Sequence, residues 1–457
     1  MTKKLPLRRA LIALASISLV AAACGSDDDD STTTDAPADT EAPAATDAPA
    51  ATDAPASTDG DESDMAELEV PDNPDNGVTS DEILVGWLGD ATGPTASTQT
   101  AHRDGAAAYF EKVNQEGGVL GRELTLVEFD DAYVAEDTLI GFRKLVDDDK
   151  ILNFIGLNNS SGIDAVAPQL EEVGTPVIGS QSGSTTTHEN DYFWNTIASY
   201  ADMVGVVQGR LAEELGGADK IVAIPVALTV ASGDQWIEAV NSTITDRGGT
   251  VTEAVRYDAR ADDLSAEAIT IAGLVEDKGA NAIVIHGTTK PFIVLFTALD
   301  AAGVTETIIG GMTGLVQPAV YQEAPEAVTD TAWGTHTFTP IDIDTPGNVE
   351  MREFVESEGK WGDTSKSIGF VQGWVNGKIQ VEAMIRAAET GELSRASLQT
   401  ALGTITNFDT GGQSPLIDFS RPGHNGGANV RPYDWDGTEL VAVGDYAEWT
   451  EFLPSGD

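Results

Sequence analysis

Two turns rich in glycine and hydroxyls hold the residue types best suited to chemistry in this chain. Gly156-Leu157-Asn158-Asn159-Ser160-Ser161-Gly162 closes one apolar run, and Gly179-Ser180-Gln181-Ser182-Gly183-Ser184-Thr185 closes the next. Ser160, Ser161, Gln181, Ser182, Gly183 and Ser184 offer neutral hydroxyl, amide and backbone N–H groups. At helix starts such groups suit a carboxylate or another oxygen-rich end. Gly287-Thr288-Thr289 and Gly310-Gly311-Met312-Thr313 close two later runs, and Ser232-Gly233-Asp234 stands just before Trp236 at the start of another helix. Ser, Thr and Gly are also ordinary cap and turn residues, so each alone reads either way. The two Ser-rich turns at adjacent strand ends together read as a ligand site.

Catalytic and metal readings find less. His102, His188, His286, His336 and His424 are scattered with no i, i+4 pair, so no His-rich metal site is expected. There is no G-x-S-x-G elbow, and the 156–162 turn lacks the lysine of a phosphate cradle. Asp130-Asp131 and the acids at 147–149 read as solvated groups at strand and helix ends rather than a catalytic pair. His286 ends an apolar run and reads as a core histidine or a cleft residue. No enzyme activity, cofactor or metal is expected.

The elements that must position these turns follow from periodicity. Short apolar runs at 82–88, 123–129, 151–156 and 175–178 read as strands, and a second set follows at 220–224, 250–257, 280–286 and 306–309. Between them apolar residues share helical faces: Ala106, Phe110 and Val113, then Leu139, Phe142 and Val146, then Ile271, Leu274 and Val275. Further helices are expected at 373–390 and 394–402, and a turn-rich strand region over 416–452. Strand and helix in alternation predict an α/β fold: two doubly wound parallel-sheet lobes joined near residues 195–200. In such sheets ligands sit beyond the carboxyl ends of the strands, where the hydroxyl-rich turns lie.

Charge narrows the partners. With 75 Asp and Glu against 25 Lys and Arg, the chain carries a formal charge of −50. So negative a surface repels phosphates, which excludes nucleic acid as a partner and argues against docking on anionic lipid. Residues 1–23 read as a signal peptide: Lys3, Lys4, Arg8 and Arg9 precede a short apolar run ending in Ala21-Ala22-Ala23. Cys24 follows at once, as the chain's single cysteine, and is the expected lipidation site; an ordinary A-x-A cleavage is the alternative. One cysteine leaves no intrachain disulfide. Residues 24–80, acidic and rich in Pro, Ala and Thr with no Lys or Arg, read as an extended tether between anchor and body.

The segment LGDATGPTASTQTAHRDGAAAYFEKVNQEGGVLGRELTLVEFDDA (residues 88–132) resembles the opening of the bacterial leucine/isoleucine/valine-binding-protein family, type I extracytoplasmic receptors of ABC importers. Gly93-Pro94, the run Gly117-Gly118-Val119-Leu120-Gly121-Arg122 and Asp130-Asp131 carry the likeness, and residues 415–443 are similar to the family's closing hairpin. The resemblance implies two lobes joined by three crossovers: 81–198 with about 335–408, and 199–334 with about 409–457. It implies a monomer that clamps a small-molecule ligand and delivers it to an ABC permease and its ATPase from a lipid anchor on the membrane. Ligand contacts carry over to Ser160 or Ser161 and to residues 181–184. Elsewhere the chain departs: Thr98 replaces a first-loop aromatic, Thr288 a tyrosine, and Met312 the glutamate that pairs the ligand ammonium. The expected ligand is a small polar or amino-acid-like molecule, and these departures count against an ordinary α-amino acid and for a carboxylate, amide or other polar head on an apolar body. A sensing receptor or a stalked surface adhesin without transport is the alternative function.

Overall fold

The computed structural model describes residues 68–447 other than residue 363. The signal peptide, Cys24 and most of the expected tether lie outside the described residues.

In the first lobe, β1 (Glu82–Gly89), α1 (Ala96–Gln115), β2 (Glu123–Asp130), α2 (Ala135–Arg143), β3 (Asn153–Leu157), α3 (Ser160–Val173), β4 (Val177–Ile178), α4 (Thr185–Glu189) and β5 (Phe193–Trp194) follow one another. Their strands form a five-stranded parallel sheet in the order β2-β1-β3-β4-β5. In the second lobe come α5 (Tyr200–Leu215), β6 (Val222–Leu228), α6 (Ala231–Asp246), β7 (Thr250–Val251), β8 (Val255–Tyr257), α7 (Ser265–Lys278), β9 (Ala282–His286), α8 (Thr289–Ala301), β10 (Ile308–Gly311), α9 (Pro318–Glu323), α10 (Glu326–Thr329) and β11 (Ala332–His336). The chain then runs through α11 (Pro346–Ser357), α12 (Ile368–Ala388) and α13 (Arg395–Leu402), and ends in the hairpin β12 (Arg431–Trp435) and β13 (Leu440–Ala442). The second sheet has eight strands, ordered β13-β12-β11-β10-β9-β6-β7 with β8 also beside β6. Only its hairpin edge is antiparallel. β3, β9 and β11 are buried along their whole length, as strands covered by helices on both faces must be. The single strand expected over 250–257 is split in two, because residues 252–254 leave the ladder between the short pairings of β7 and β8 with β6.

α12 belongs to the first lobe although more than 150 residues separate it from β5. Two glycines permit this: a Cβ on Gly373 would stand 1.9 Å from the His102 carbonyl oxygen, and one on Gly105 2.1 Å from that of Phe370. α1 and α12 thus pack backbone to backbone. Asn376 Nδ2 then donates to the Gly179 carbonyl at 3.0 Å, and Gln380 and Asn153 exchange two hydrogen bonds.

The lobes are joined where three chain segments cross side by side. Asn195 N–H donates to the His424 carbonyl at 3.0 Å, Gly427 N–H to that of Asn195 at 3.3 Å, and Ala198 N–H to Thr337 Oγ1 at 3.3 Å. Gly427 lies so close to this seam that a Cβ would meet the Thr196 oxygen at 2.1 Å.

The packed body begins before the expected end of the tether. Val70 and Val78 are buried, and the Arg122 guanidinium donates to the carbonyls of Val70 and Thr79. Two apolar side chains and one arginine outweigh the acidic composition of this stretch. Among the described residues, no helix is long and apolar enough to cross a membrane.

Candidate functional site

The carboxyl ends of the strands in both lobes face one cleft, which encloses a cavity of about 70 Å³. At ~10–15 Å³ for each water, that is room for roughly five waters, or one small molecule in this conformation. A depression of about 390 Å³ lies elsewhere, between α1 and the amino-terminal half of β2. One lobe alone forms it, away from every strand carboxyl end, so the cleft is the candidate site.

The first lobe builds its wall by cross-linking polar groups. Just beyond β1, buried Asp90 accepts from the Thr95 N–H and hydroxyl, both at 2.8 Å, and from the Gly93 N–H. Gln99 Oε1 accepts the Asp90 N–H at 2.7 Å while its Nε2 donates to Thr95 Oγ1 at 2.8 Å. Beyond β3, Asn158 Oδ1 accepts the Gln181 N–H at 2.9 Å, and Ser160 Oγ lies 2.9 Å from Ser182 Oγ. Gln372 of α12 donates from Nε2 to the Ser180 carbonyl and accepts from Gln181 Nε2, both at 3.3 Å. Backbone groups at both ends fix the sense of these bonds, which leaves Asn158 Nδ2 and Gln181 Oε1 buried without a protein partner.

The second lobe presents a wall of apolar and neutral polar groups. Leu228, Ser232, His286, Gly287, Thr288, Met312, Thr313 and His336 line it from the ends of β6, β9, β10 and β11. Behind them Trp236, fully buried, donates its indole N–H to the Val284 carbonyl at 3.3 Å, and Tyr257 its phenol to the His286 carbonyl at 2.7 Å. The His286 ring stands 5.8 Å from Tyr200 and 5.9 Å from Trp236, and its Nδ1 has no protein partner. Burial lowers the pKa of His286 to about 4 and of His336 to about 3, so both are neutral at pH 7. His336 Nδ1 accepts the Phe338 N–H at 3.0 Å, which fixes its tautomer. No Asp, Glu, Lys or Arg lines the cavity.

Of the residues expected from sequence, the structure brings Thr98, Ser160, Gln181, Ser232, Thr288 and Met312 to the cavity wall. Ser161, Ser182, Gly183 and Ser184 do not line it. The Ser161 N–H is held by the Asn159 side chain, which caps α3. Ser182 stands behind Ser160, the Gly183 carbonyl accepts the Tyr200 N–H at 2.9 Å, and Ser184 caps α4. These four organise the wall from behind. His286 reaches the cleft. The acid pair corrects its expectation in half: Asp131 is fully buried, accepting from Thr138 Oγ1 at 2.7 Å and the Tyr133 N–H at 2.9 Å, while Asp130 stays near the surface and holds the Ala91 and Ala132 N–H groups. Burial raises the pKa of Asp131. Asp234 is exposed and paired with Arg256, outside the cavity wall. Sequence reasoning missed Thr95, Gln99, Tyr133, Asn158, Tyr200, His336 and Gln372, all of which line the cavity. Asn158 could have been found, since it stands inside the glycine-bounded turn at a strand end. Among the described residues, no group of three or more His, Cys, Asp or Glu could hold a metal ion.

Residues 82–439 match the model of a family described as periplasmic binding protein. The Leu/Ile/Val-binding protein homolog 7 of Brucella abortus (strain 2308) is 25% identical over 388 residues, covering 80% of this chain and 92% of that protein. An amino acid binding protein of Pseudomonas aeruginosa is 24% identical over 251 residues, 54% of this chain and 59% of its own length. Among solved structures, a branched chain amino acid ABC transporter protein from Thermus thermophilus with bound valine superposes with a TM-score of 0.73 at 21% identity, covering 81% of this chain and 97% of that one. A fatty acid ABC transporter substrate-binding protein from Thermomonospora curvata gives 0.72 at 20% identity, covering 83% and 95%. The two-lobed α/β body with its cleft at the strand ends is theirs as well, and the chain belongs to the periplasmic binding protein family, in its type I, leucine/isoleucine/valine-binding-protein-like form.

Proposed function

We propose that this protein is an extracytoplasmic solute-binding lipoprotein. It captures a small polar-headed ligand between its lobes and delivers it to an ABC permease and its ATPase. The observation that carries this reading is the cavity itself: both lobes line it, its polar groups converge from strand ends, and no charged side chain faces it. The relative's name points to leucine, isoleucine and valine, and the two structural neighbours' to valine and fatty acid. A carboxyl group on an apolar body is common to all of these. The first-lobe wall offers hydroxyls and amides to such a head, and Met312 and Leu228 offer apolar surface to the body.

An α-ammonium finds no anionic partner. Met312 stands where a glutamate was expected, Asp234 is turned to Arg256, and the buried Asp90 and Asp131 are engaged by their own turns. Burying an unpaired ammonium costs several kcal/mol, enough to remove most of a micromolar affinity. The ligand is therefore a small carboxylate, amide or similarly headed molecule without a free amine. Thermal shift of the purified protein against a metabolite library tests this: a ligand at about 100 times its Kd stabilises by about 2.7 kcal/mol. A library rich in such compounds that leaves the melting temperature unmoved would refute the reading. Anchoring rests on Cys24 at the end of the signal-like segment, and Cys24→Ala should release the protein from the membrane fraction.

A further inference from the structure

Ala132 and Tyr133, two consecutive residues with side chains, stand in the left-handed region at φ 45° and 61°. Such a pair is strained and persists only where its surroundings hold it. Here the acid pair does so. Asp130 Oδ1 accepts the Ala132 N–H at 3.0 Å, and Asp131 Oδ1 accepts the Tyr133 N–H at 2.9 Å. The Asp131 carboxylate is itself fixed by the Thr138 hydroxyl at 2.7 Å. The strained turn carries Tyr133 from the end of β2 into the cleft, where its hydroxyl lies 3.3 Å from Ser232 Oγ in the first turn of α6, on the opposite lobe. Burial raises the Tyr133 phenol pKa, with the hydrogen bond to Ser232 opposing it. The Tyr133 hydroxyl thus ties the second lobe to the first at the cavity that Ser160 also lines.

A second hydrogen bond crosses between the lobes outside the hinge, from Gln317 Nε2 to Ser367 Oγ at 3.2 Å. Gln317 does not line the cavity, whereas Tyr133, Ser160 and Ser232 all do. The two ties therefore differ in one respect: only that of Tyr133 is in reach of a bound molecule. Resting on the solute-binding reading above, we propose that Tyr133 is a ligand-contacting residue that couples recognition to closure, its hydroxyl holding the polar head of the ligand and Ser232 of the opposite lobe together. The acid pair before it acts as the positioning device.

The test uses the full chain with Cys24→Ser, spin-labelled at Glu136→Cys in the first lobe and Glu238→Cys in the second, both exposed positions. Without ligand, Tyr133→Phe should shift the interlobe distance distribution to longer values while the melting temperature stays within a few degrees. Ser232→Ala should give the same shift, and the two together no more than either alone. Unchanged distributions in both variants would overturn the proposal. Calorimetry with 4-methylpentanoate and 4-methylpentanamide supplies the second arm. Tyr133→Phe should weaken the better of these probes by roughly five- to 150-fold, the range for one lost hydrogen bond to a bound ligand. Gln317→Ala, which also loosens closure, should weaken both probes alike and by only a few fold. Equal affinity in Tyr133→Phe and the unaltered protein would overturn the ligand contact even if the distances moved. Should neither probe bind the unaltered protein, the ligand class proposed above fails, and the distance measurement still decides the role of Tyr133.

Discussion

The two walls of the cleft are built on different principles. The first-lobe wall is a network: Asp90 ties Thr95 and Gly93, Gln99 ties back to Asp90, and Asn158, Gln181, Gln372 and Ser180 hold one another. Its donors and acceptors are set before anything binds, so a polar head meets groups that need little reorganisation. The second-lobe wall is a packed surface. Trp236, Leu228 and Met312 are buried apolar side chains, and His286 and His336 are held neutral by burial. It covers the ligand body with Leu228 and Met312, and its polar side chains, Ser232, His286, Thr288, Thr313 and His336, are not bonded to one another. The contrast assigns head-group recognition to the first lobe and enclosure to the second.

The largest expected effect comes from breaking the network. Asp90→Ala leaves the buried Thr95 N–H and hydroxyl without their acceptor, at about 1–3 kcal/mol each, frees the half-buried Gly93 N–H, and should lower stability by roughly 3 kcal/mol. Urea unfolding measures it, and ligand binding should fail in the same variant. A loss under about 1 kcal/mol would show that the wall does not depend on this carboxylate.

Next in size is the difference between hydroxyls on the two walls. Ser160→Ala should weaken ligand binding by about 1–3 kcal/mol, roughly five- to 150-fold. Thr288→Val keeps the shape of the second wall and should cost less than about fivefold. Equal losses in calorimetry would erase the assignment of recognition to one lobe.

The pH dependence follows from burial of four histidines. His102, behind the first wall, is lowered to about 3, as is His336, and His286 to about 4, each from an ordinary 6.5, and burial lowers His188 at the end of α4 as well. Because the folded values are depressed, the unfolded chain binds the extra protons. Stability is full above pH 6.5 and falls as pH drops below it, by on the order of 1 kcal/mol per pH unit for each histidine. Melts between pH 7.5 and 5, before most carboxylates titrate, should show the decline, and a flat profile would contradict their burial. His286 and His336 stand on the second wall, so His286→Phe should reduce the slope and leave the first wall intact.

Much of this architecture was legible because it is local. Continuous runs such as 282–286 declare two-sided strands, and glycine-bounded hydroxyl turns mark their ends. What was hidden is what distant parts of the chain bring together. Gln372 reaches the cleft only because Gly105 and Gly373 let α12 lie against α1, a contact no spacing rule reveals. Tyr133 follows an acid pair that read as solvated, and its aim depends on backbone angles that the sequence around it would not ordinarily adopt. Val70 and Val78 were lost in an acidic stretch whose average composition concealed two anchors. Ser184 reads two ways for the opposite reason: a cap and a ligand contact use the same residue type, and here its hydroxyl caps α4.

The division of labour between the walls makes one claim above the others, that the cleft holds a polar head and has no anionic partner for an ammonium. Calorimetric titration of the ligand-free protein with leucine, isoleucine and valine beside their deaminated keto acids tests it directly. The keto acids should bind and the free amino acids should bind at least tenfold more weakly or not at all. Micromolar binding of the amino acids would contradict the account, because it requires an anion that the described cavity wall does not contain.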